Sequence, residues 1–376
     1  MLFLPSFPHT RRNTLASAVS GEGIMSCASK RHVRPESAFR FRAVSALLPP
    51  SPPSLPAVRI EYPPPDISPW IAGNCGIQGV HHFESRRPGP HVAVTALMHG
   101  NEYAGAYALQ QLLMQPLRPL HGRLSLIFLN LAAYKTFNPA RPTLSRFVEE
   151  DMNRLWRPEL ITSAHTSVEM ERVREVLPVL ETVDILLDIH TMLWPAQPLF
   201  LCSMTENSRD LAYCVSGAQT NPPAVVQDGG HGDGLRLIDY TRFNTPHSYT
   251  RACLLEAGQH WQKDAAQQAL LSTRIFLTQT GTLPSALTSA TSSEPVRQAV
   301  VTDCVQALTS RFVFVQPFAS GSVIRKAGTV IAFDGQDEIR TPYNNCILVM
   351  PNLRPRRGHT AVRLAKRLNN KTGTQA

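Results

Sequence analysis

The stretch 91-HVAVTALMHGNEYAGAYALQQL-112 decides the fold. Val92 to Met98 is an almost unbroken apolar and β-branched run, the pattern of a strand buried on both faces. Tyr103 to Leu113 is rich in Ala, Leu and Gln and reads as a helix. Between them stand His99, Gly100, Asn101 and Glu102. An imidazole at the carboxyl end of a buried strand, with a carboxylate in the first turn of the next helix, marks the edge of an α/β sheet where ligands bind. The three-residue gap lets both side chains turn toward one point, which suits two zinc ligands, and Gly100 permits a tight turn between them. A plainer reading competes on this stretch alone. In it Asn101 caps the helix, Glu102 favours the helix dipole and His99 is an ordinary polar residue at a strand end.

A chain of 376 residues, 43% of them hydrophobic, can bury a large core and is expected to form two domains and a tail. No apolar run approaches the roughly 20 residues of a membrane helix, so no membrane partner is expected. The net charge of +9 is unevenly placed, with basic residues gathered in the first 60 residues and again from Arg354 to Lys371. No aromatic-and-basic stripe or nucleic-acid motif accompanies them, so no nucleic-acid partner is expected either. The seven cysteines, Cys27, Cys75, Cys202, Cys214, Cys253, Cys304 and Cys346, are scattered and form no C-x-x-C pair. That distribution fits buried thiols in a reducing compartment, and a cytoplasmic location follows as the expectation.

Residues 1–57 lack a hydrophobic period and end in the proline cluster PPSPPSLP. They read as a disordered extension; a transit peptide or a misassigned start, with Met25 as a later one, are the competing readings. Globular character begins at Val58, and residues 58–280 read as an α/β domain with a mixed, largely parallel sheet flanked by helices. Its further buried strands are Arg123 to Leu131 and Val183 to Ile189, with others at 195–203 and 251–256. Residues 281–294 form a Ser/Thr-rich linker, 295–355 a small all-β domain of short strands, and 356–376 a basic tail.

The strand VDILLDI ends at His190, as the earlier one ends near His99. Two strand-end histidines and Glu102 make a His2Glu set with room for a water, the open catalytic zinc arrangement. Asp188, two residues before His190, lies on the same side of the strand and can accept a ligand histidine's second N–H. Glu256 ends the apolar strand RACLLE and is the candidate general base. In the loop DMNRLW, Asn153 and Arg154 offer an amide and a guanidinium that can hold a substrate carboxylate. Upstream, Arg141 and Arg146 are further cations, either of which could polarise a carbonyl; Arg146 reads more simply as a solvated loop charge.

H-G-N-E at 99–102, D-x-N-R at 151–154, D-x-H at 188–190 and L-L-E-A-G around Glu256, in that order, resemble the succinylglutamate desuccinylase/aspartoacylase family of the wider zinc carboxypeptidase superfamily. The resemblance spans about residues 85–350 and implies a zinc-carboxypeptidase-like sheet with an appended small β domain. It implies one Zn2+ per chain on His99, Glu102 and His190, with Asn153 and Arg154 as carboxylate binders and Glu256 as base. Asn138-Pro139-Ala140-Arg141 departs by one residue from the family's Asn-Pro-Arg pattern, leaving Arg141 as the best match for the carbonyl-polarising arginine. The expected reaction is hydrolysis of the amide bond of a small N-acyl amino acid. A peptide-cleaving carboxypeptidase and a non-catalytic binding protein on the same fold are the alternatives. A homo-oligomer stays open, as does which of Arg242 and Arg251 reaches substrate.

Overall fold

The apolar run behind His99 forms a strand with a parallel neighbour on each side, in a computed structural model that describes residues 40–42, 53–284 and 294–368. In chain order the strands are β1 Arg40–Arg42, β2 Val80–Glu84, β3 His91–Ala96, β4 Arg123–Phe128, β5 Ile185–Met192, β6 Leu199–Cys202, β7 Ala224–Gln227, β8 Arg251–Gln259, β9 Gln298–Gln306, β10 Phe312–Phe314, β11 Val323–Ile324, β12 Val330–Asp334, β13 Asp337–Arg340, β14 Cys346–Val349 and β15 Thr360–Arg367. The helices are α1 Ala104–Leu113, α2 Leu131–Lys135, α3 Pro158–Ile161, α4 Val168–Leu180, α5 Glu206–Gly217 and α6 Lys263–Gln279, with short 3-10 turns between them.

Eleven strands make one mixed sheet in the order β11-β14-β15-β9-β7-β6-β8-β5-β3-β4-β2. Its centre, β4, β3, β5 and β8, is parallel, while β6 and β2 run antiparallel to their neighbours β8 and β4. The continuous apolar runs follow from this placement, since each central strand feeds two cores. Val92, Val94, Leu187, Ile189, Cys253 and Leu255 pack in the layer shared with α1, α5 and α6. Ala93, Leu186, Ala252 and Leu254 face the opposite layer, where α4 contributes Met170, Val173 and Val176. Gly105 lets α1 lie close to the sheet, because a Cβ there would stand 2.8 Å from the Ala96 Cβ. No described helix is long and apolar enough to cross a membrane.

Residues 295–355, expected as a separate small β domain, divide between two sheets. β9 joins the main sheet parallel to β7, with Val225 opposite Gln298, and β15, β14 and β11 follow it outward. β10, β12 and β13 form a four-stranded antiparallel sheet with β1. The expected basic tail contains β15, whose Ala361, Val362, Leu364 and Ala365 are buried; residues 369–376 lie outside the described residues. β1 falls within the stretch expected as an extension, and its backbone pairs with β13. Most of the remaining residues of 1–57, and 285–293 of the expected linker, also lie outside the described residues. Alternation along a strand records which face is buried but not which edge it pairs with, so these assignments were open to the sequence.

Candidate metal centre

The chain leaves β3 through Leu97, which holds a φ of 60° while fully buried. For a branched side chain this left-handed conformation costs about 1–2 kcal/mol, and it delivers Met98 and His99 past the sheet edge. Gly100 is required by close approach, not by a left-handed turn: a Cβ would lie 2.3 Å from the Ala133 carbonyl carbon and 2.6 Å from Ser145 O. Its N–H donates to Arg146 O at 3.1 Å, tying the strand end to the loop that carries Arg146. The simple capping reading does not hold. Tyr103 is the residue before α1, and among the described residues no side chain caps it and the buried Asn101 Oδ1 has no partner.

His99, Glu102 and His190 are all 3% exposed, and their ligand atoms lie within 4.8 Å of one another. His99 Nδ1 is 2.9 Å from Glu102 Oε1 and His190 Nδ1 is 3.0 Å from Oε2. The outer nitrogens are each held by a carboxylate, His99 Nε2 by Asp151 Oδ1 and His190 Nε2 by Asp188 Oδ2, both at 2.9 Å. Asp188 is fixed in turn by the Thr95 hydroxyl at 2.7 Å. With each Nε2 tied to an anion, both Nδ1 atoms turn inward on a third anion, so a cation belongs between the three groups. Two inward nitrogens and a carboxylate are a donor set that fits zinc. Burial pushes the Glu102 carboxyl up, but His99 and His190 outweigh it and hold it well below the carboxylate range. Burial lowers His190, and Asp188 and Glu102 more than reverse that.

Glu256 stands opposite His190 in the β5–β8 register, 4% exposed, and its Oε2 has no hydrogen-bond partner among the described residues. Burial pushes its carboxyl up to about 8, against the pull of His190 and Arg146. Asn153 is buried, and its Oδ1 accepts the Leu237 N–H at 3.0 Å, which leaves the amide NH2 as its donor end. Arg154 is 22% exposed, donates to Asn153 O at 2.9 Å and lies 3.3 Å from Asp233 Oδ1.

One expectation about the cations is corrected, that for Arg146. Arg141 is exposed, and among the described residues it is bonded through its backbone alone, its N–H donating to Asn138 O and its carbonyl accepting from the Leu144 N–H. Arg146, read from sequence as a solvated charge, donates to Glu102 Oε1 at 3.1 Å and Asp151 Oδ2 at 3.0 Å. Of the two arginines it is the one bonded to Glu102 and Asp151. Arg242 and Arg251 both sit at the far end of the sheet. Arg242 pairs with Asp184, and Arg251 lies opposite Ile185, five positions before the His190–Glu256 pair, or roughly 16 Å along the strand.

Sequence reasoning missed several residues. Asp151 holds His99, and His260 presents Nε2 4.0 Å from Glu102 Oε1 while its Nδ1 meets the Thr191 hydroxyl at 2.6 Å. Glu169, fully buried in the first turn of α4, accepts from the Asn130 side chain and from the Val148, Glu149 and Glu150 amides, and so shapes the loop carrying Arg146 and Asp151. The only sequence signal for Asp151 was its place in D-x-N-R; for Glu169 there was none.

A mixed α/β sheet with a buried His2Glu set at the carboxyl edge of its parallel strands defines the class, a zinc-carboxypeptidase-like fold. A model of the succinylglutamate desuccinylase/aspartoacylase catalytic domain matches residues 88–278, and the chain belongs to that family. Similar solved structures include the succinylglutamate desuccinylase of Vibrio cholerae, at 17% identity and TM-score 0.59 over 78% of this chain and 86% of that one. A succinylglutamate desuccinylase/aspartoacylase from Rhodobacter sphaeroides has 17% identity and TM-score 0.58 over 77% and 89%. The enzyme from Chromobacterium violaceum has 15% identity and TM-score 0.57 over 79% and 93%. No curated protein matches the sequence.

Proposed function

We propose that this protein is a zinc-dependent deacylase that hydrolyses the amide bond of an N-acyl amino acid. Membership of the family supports the reaction class. The observation that carries the reading is the inward convergence of both Nδ1 atoms and the Glu102 carboxylate, with Asp151 and Asp188 fixing the outer nitrogens. His99, Glu102 and His190 would hold one Zn2+ per chain. When bound, the metal supplies Lewis acidity that polarises a carbonyl and eases ionisation of water.

The remaining steps fall to the chain. Glu256 takes the proton from the attacking water and returns it to the leaving amine; its burial brings it near neutrality, where both transfers are accessible. Arg146 donates to the oxyanion that develops on the carbonyl, in the role first expected of Arg141. Asn153 and Arg154 hold the substrate's carboxylate through charge-assisted bonds. The described cysteines are free; Cys202, Cys253 and Cys346 are buried as expected, whereas Cys75, Cys214 and Cys304 are exposed. The test is turnover by zinc-loaded protein of N-acetyl, N-succinyl and N-formyl amino acids beside short peptides. Cleavage of at least one acyl amino acid in preference to peptides is expected; cleavage of peptides alone would make it a carboxypeptidase.

A further inference from the structure

We propose that His260 and Trp261 form a bracket that positions Glu102 for the metal, an inference that rests on the zinc site proposed above. His99 and Glu102 stand at the two ends of one tight turn, closed by the Glu102 N–H donating to His99 O at 3.1 Å. The direction of both side chains therefore depends on how the peptides of this turn are rotated. The Asn101–Glu102 peptide is also held from its other side, where the Trp261 indole N–H donates to Asn101 O at 2.8 Å. Asn101 does not anchor the turn through its own side-chain acceptor, which has no partner among the described residues.

The neighbouring residue holds the carboxylate end. The Thr191 N–H donates to Glu102 Oε2 at 3.1 Å, and the Thr191 hydroxyl meets His260 Nδ1 at 2.6 Å. His260 Nε2 stands 4.0 Å from Glu102 Oε1, beyond hydrogen-bond reach, so its hold on the ligand runs through Thr191. Two consecutive residues thus grip Glu102 at its backbone and at its carboxylate. Groups that hold a ligand from outside fix where its donor atoms point, and with that the affinity for the metal.

The chain is bent to bring them there. β8 carries one residue more than β5 between the pairs His190–Glu256 and Met192–Gln259, a bulge that turns the strand just after the proposed base. The His260 N–H then donates to Met192 O at 2.7 Å, and Trp261 takes a φ of 64°, a left-handed conformation rare for so bulky a side chain. The segment before β2 fastens the bracket from outside: the Glu61 N–H donates to Trp261 O at 3.0 Å, and Glu61 Oε2 accepts the Lys263 N–H at 3.0 Å. Trp261 is 2% exposed and its ring lies 6.2 Å from that of Phe137, so it also fills the core. Packing needs the ring, whereas the bond to Asn101 needs its N–H, and this difference can be measured.

Trp261→Phe keeps an aromatic ring and deletes the donor. Zinc affinity, read by competition with a chromophoric chelator, should fall about ten- to a hundredfold. The same variant loaded with cobalt should show altered d–d absorption, because its ligands are no longer held in place. Phe137→Leu is the control: it loosens the same packing but leaves the bond intact, so it should lower Tm at wild-type zinc affinity. His260→Leu should weaken zinc over the same range, and His260→Asn, whose amide reaches near the place of the imidazole Nδ1, should restore most of the loss. Unchanged zinc affinity in folded Trp261→Phe or in His260→Leu overturns the bracket. So does a loss in Phe137→Leu equal to that in Trp261→Phe, or an equal loss in the two His260 variants. Where Trp261→Phe does not fold, the His260 pair carries the test. A wild type that holds no zinc overturns the metal centre and the bracket together, whereas equal zinc binding by wild type and variants overturns the bracket alone.

Discussion

Replacing Arg146 by alanine separates the role proposed for it from the one its sequence favours for Arg141. Arg146 is 37% exposed and makes two charge-assisted bonds, to Glu102 and Asp151. Partly exposed ion pairs contribute only about 0–1 kcal/mol each to stability, so Arg146→Ala should lower Tm by no more than a few degrees and retain its metal. The catalytic cost is larger. Removing a single oxyanion donor costs about 2.7–4 kcal/mol, or 10²–10³ in kcat. Arg146→Lys keeps the charge without the fork and should fall between. Arg141→Ala, at an exposed position with no side-chain partner among the described residues, should match the wild type within about twofold. The assay is steady-state hydrolysis of an acyl amino acid with zinc content measured in parallel. A loss in Arg141→Ala equal to that in Arg146→Ala would return the role to Arg141. A loss confined to KM would show that Arg146 binds substrate without acting on the transition state.

His190→Ala should lose most of its bound zinc, read by metal analysis after dialysis, because two donors alone do not complete the set; full occupancy would remove His190 from it. Glu256→Gln preserves shape but cannot take a proton, so kcat should drop about 10²–10⁴-fold at unchanged zinc content; retention of activity would exclude it as the base. His91 supplies a test of stability against pH. Burial, with Arg123 adding to it, lowers His91 to about 4, while its ring meets the Thr182 and Ser125 hydroxyls. The unfolded chain therefore takes up the proton first as pH falls. Stability is full above about 6.5 and is lost on the way down to about 4, by about 3 kcal/mol. Urea unfolding across that window should show this slope in the wild type and a shallower one in His91→Asn; equal slopes would place the acid sensitivity elsewhere.

How much of this was legible depended on the kind of signal. A long apolar run that meets a polar residue locates a strand and drew attention to His99, His190 and Glu256, but not the strand's end: β3 stops at Ala96, while β5 and β8 run on past His190 and Glu256 to Met192 and Gln259. Local spacing added Glu102 and Asp188, because three or two residues along a known backbone leave little choice of direction. Loops carry no such period. Arg141 and Arg146 are indistinguishable until the buried Glu169 gathers the 148–150 amides and turns Arg146 inward. Nor does a basic residue in a short strand announce its neighbours. Arg363 read as part of a tail because only pairing with β9 and β14 brings β15 into the main sheet. Arg251 was plausible by its nearness in sequence to Glu256, yet an extended strand carries it some 16 Å away. Periodicity records what each residue must be buried from. The partner it is buried against is settled by contacts between segments far apart in the chain, and those exist only in the folded protein.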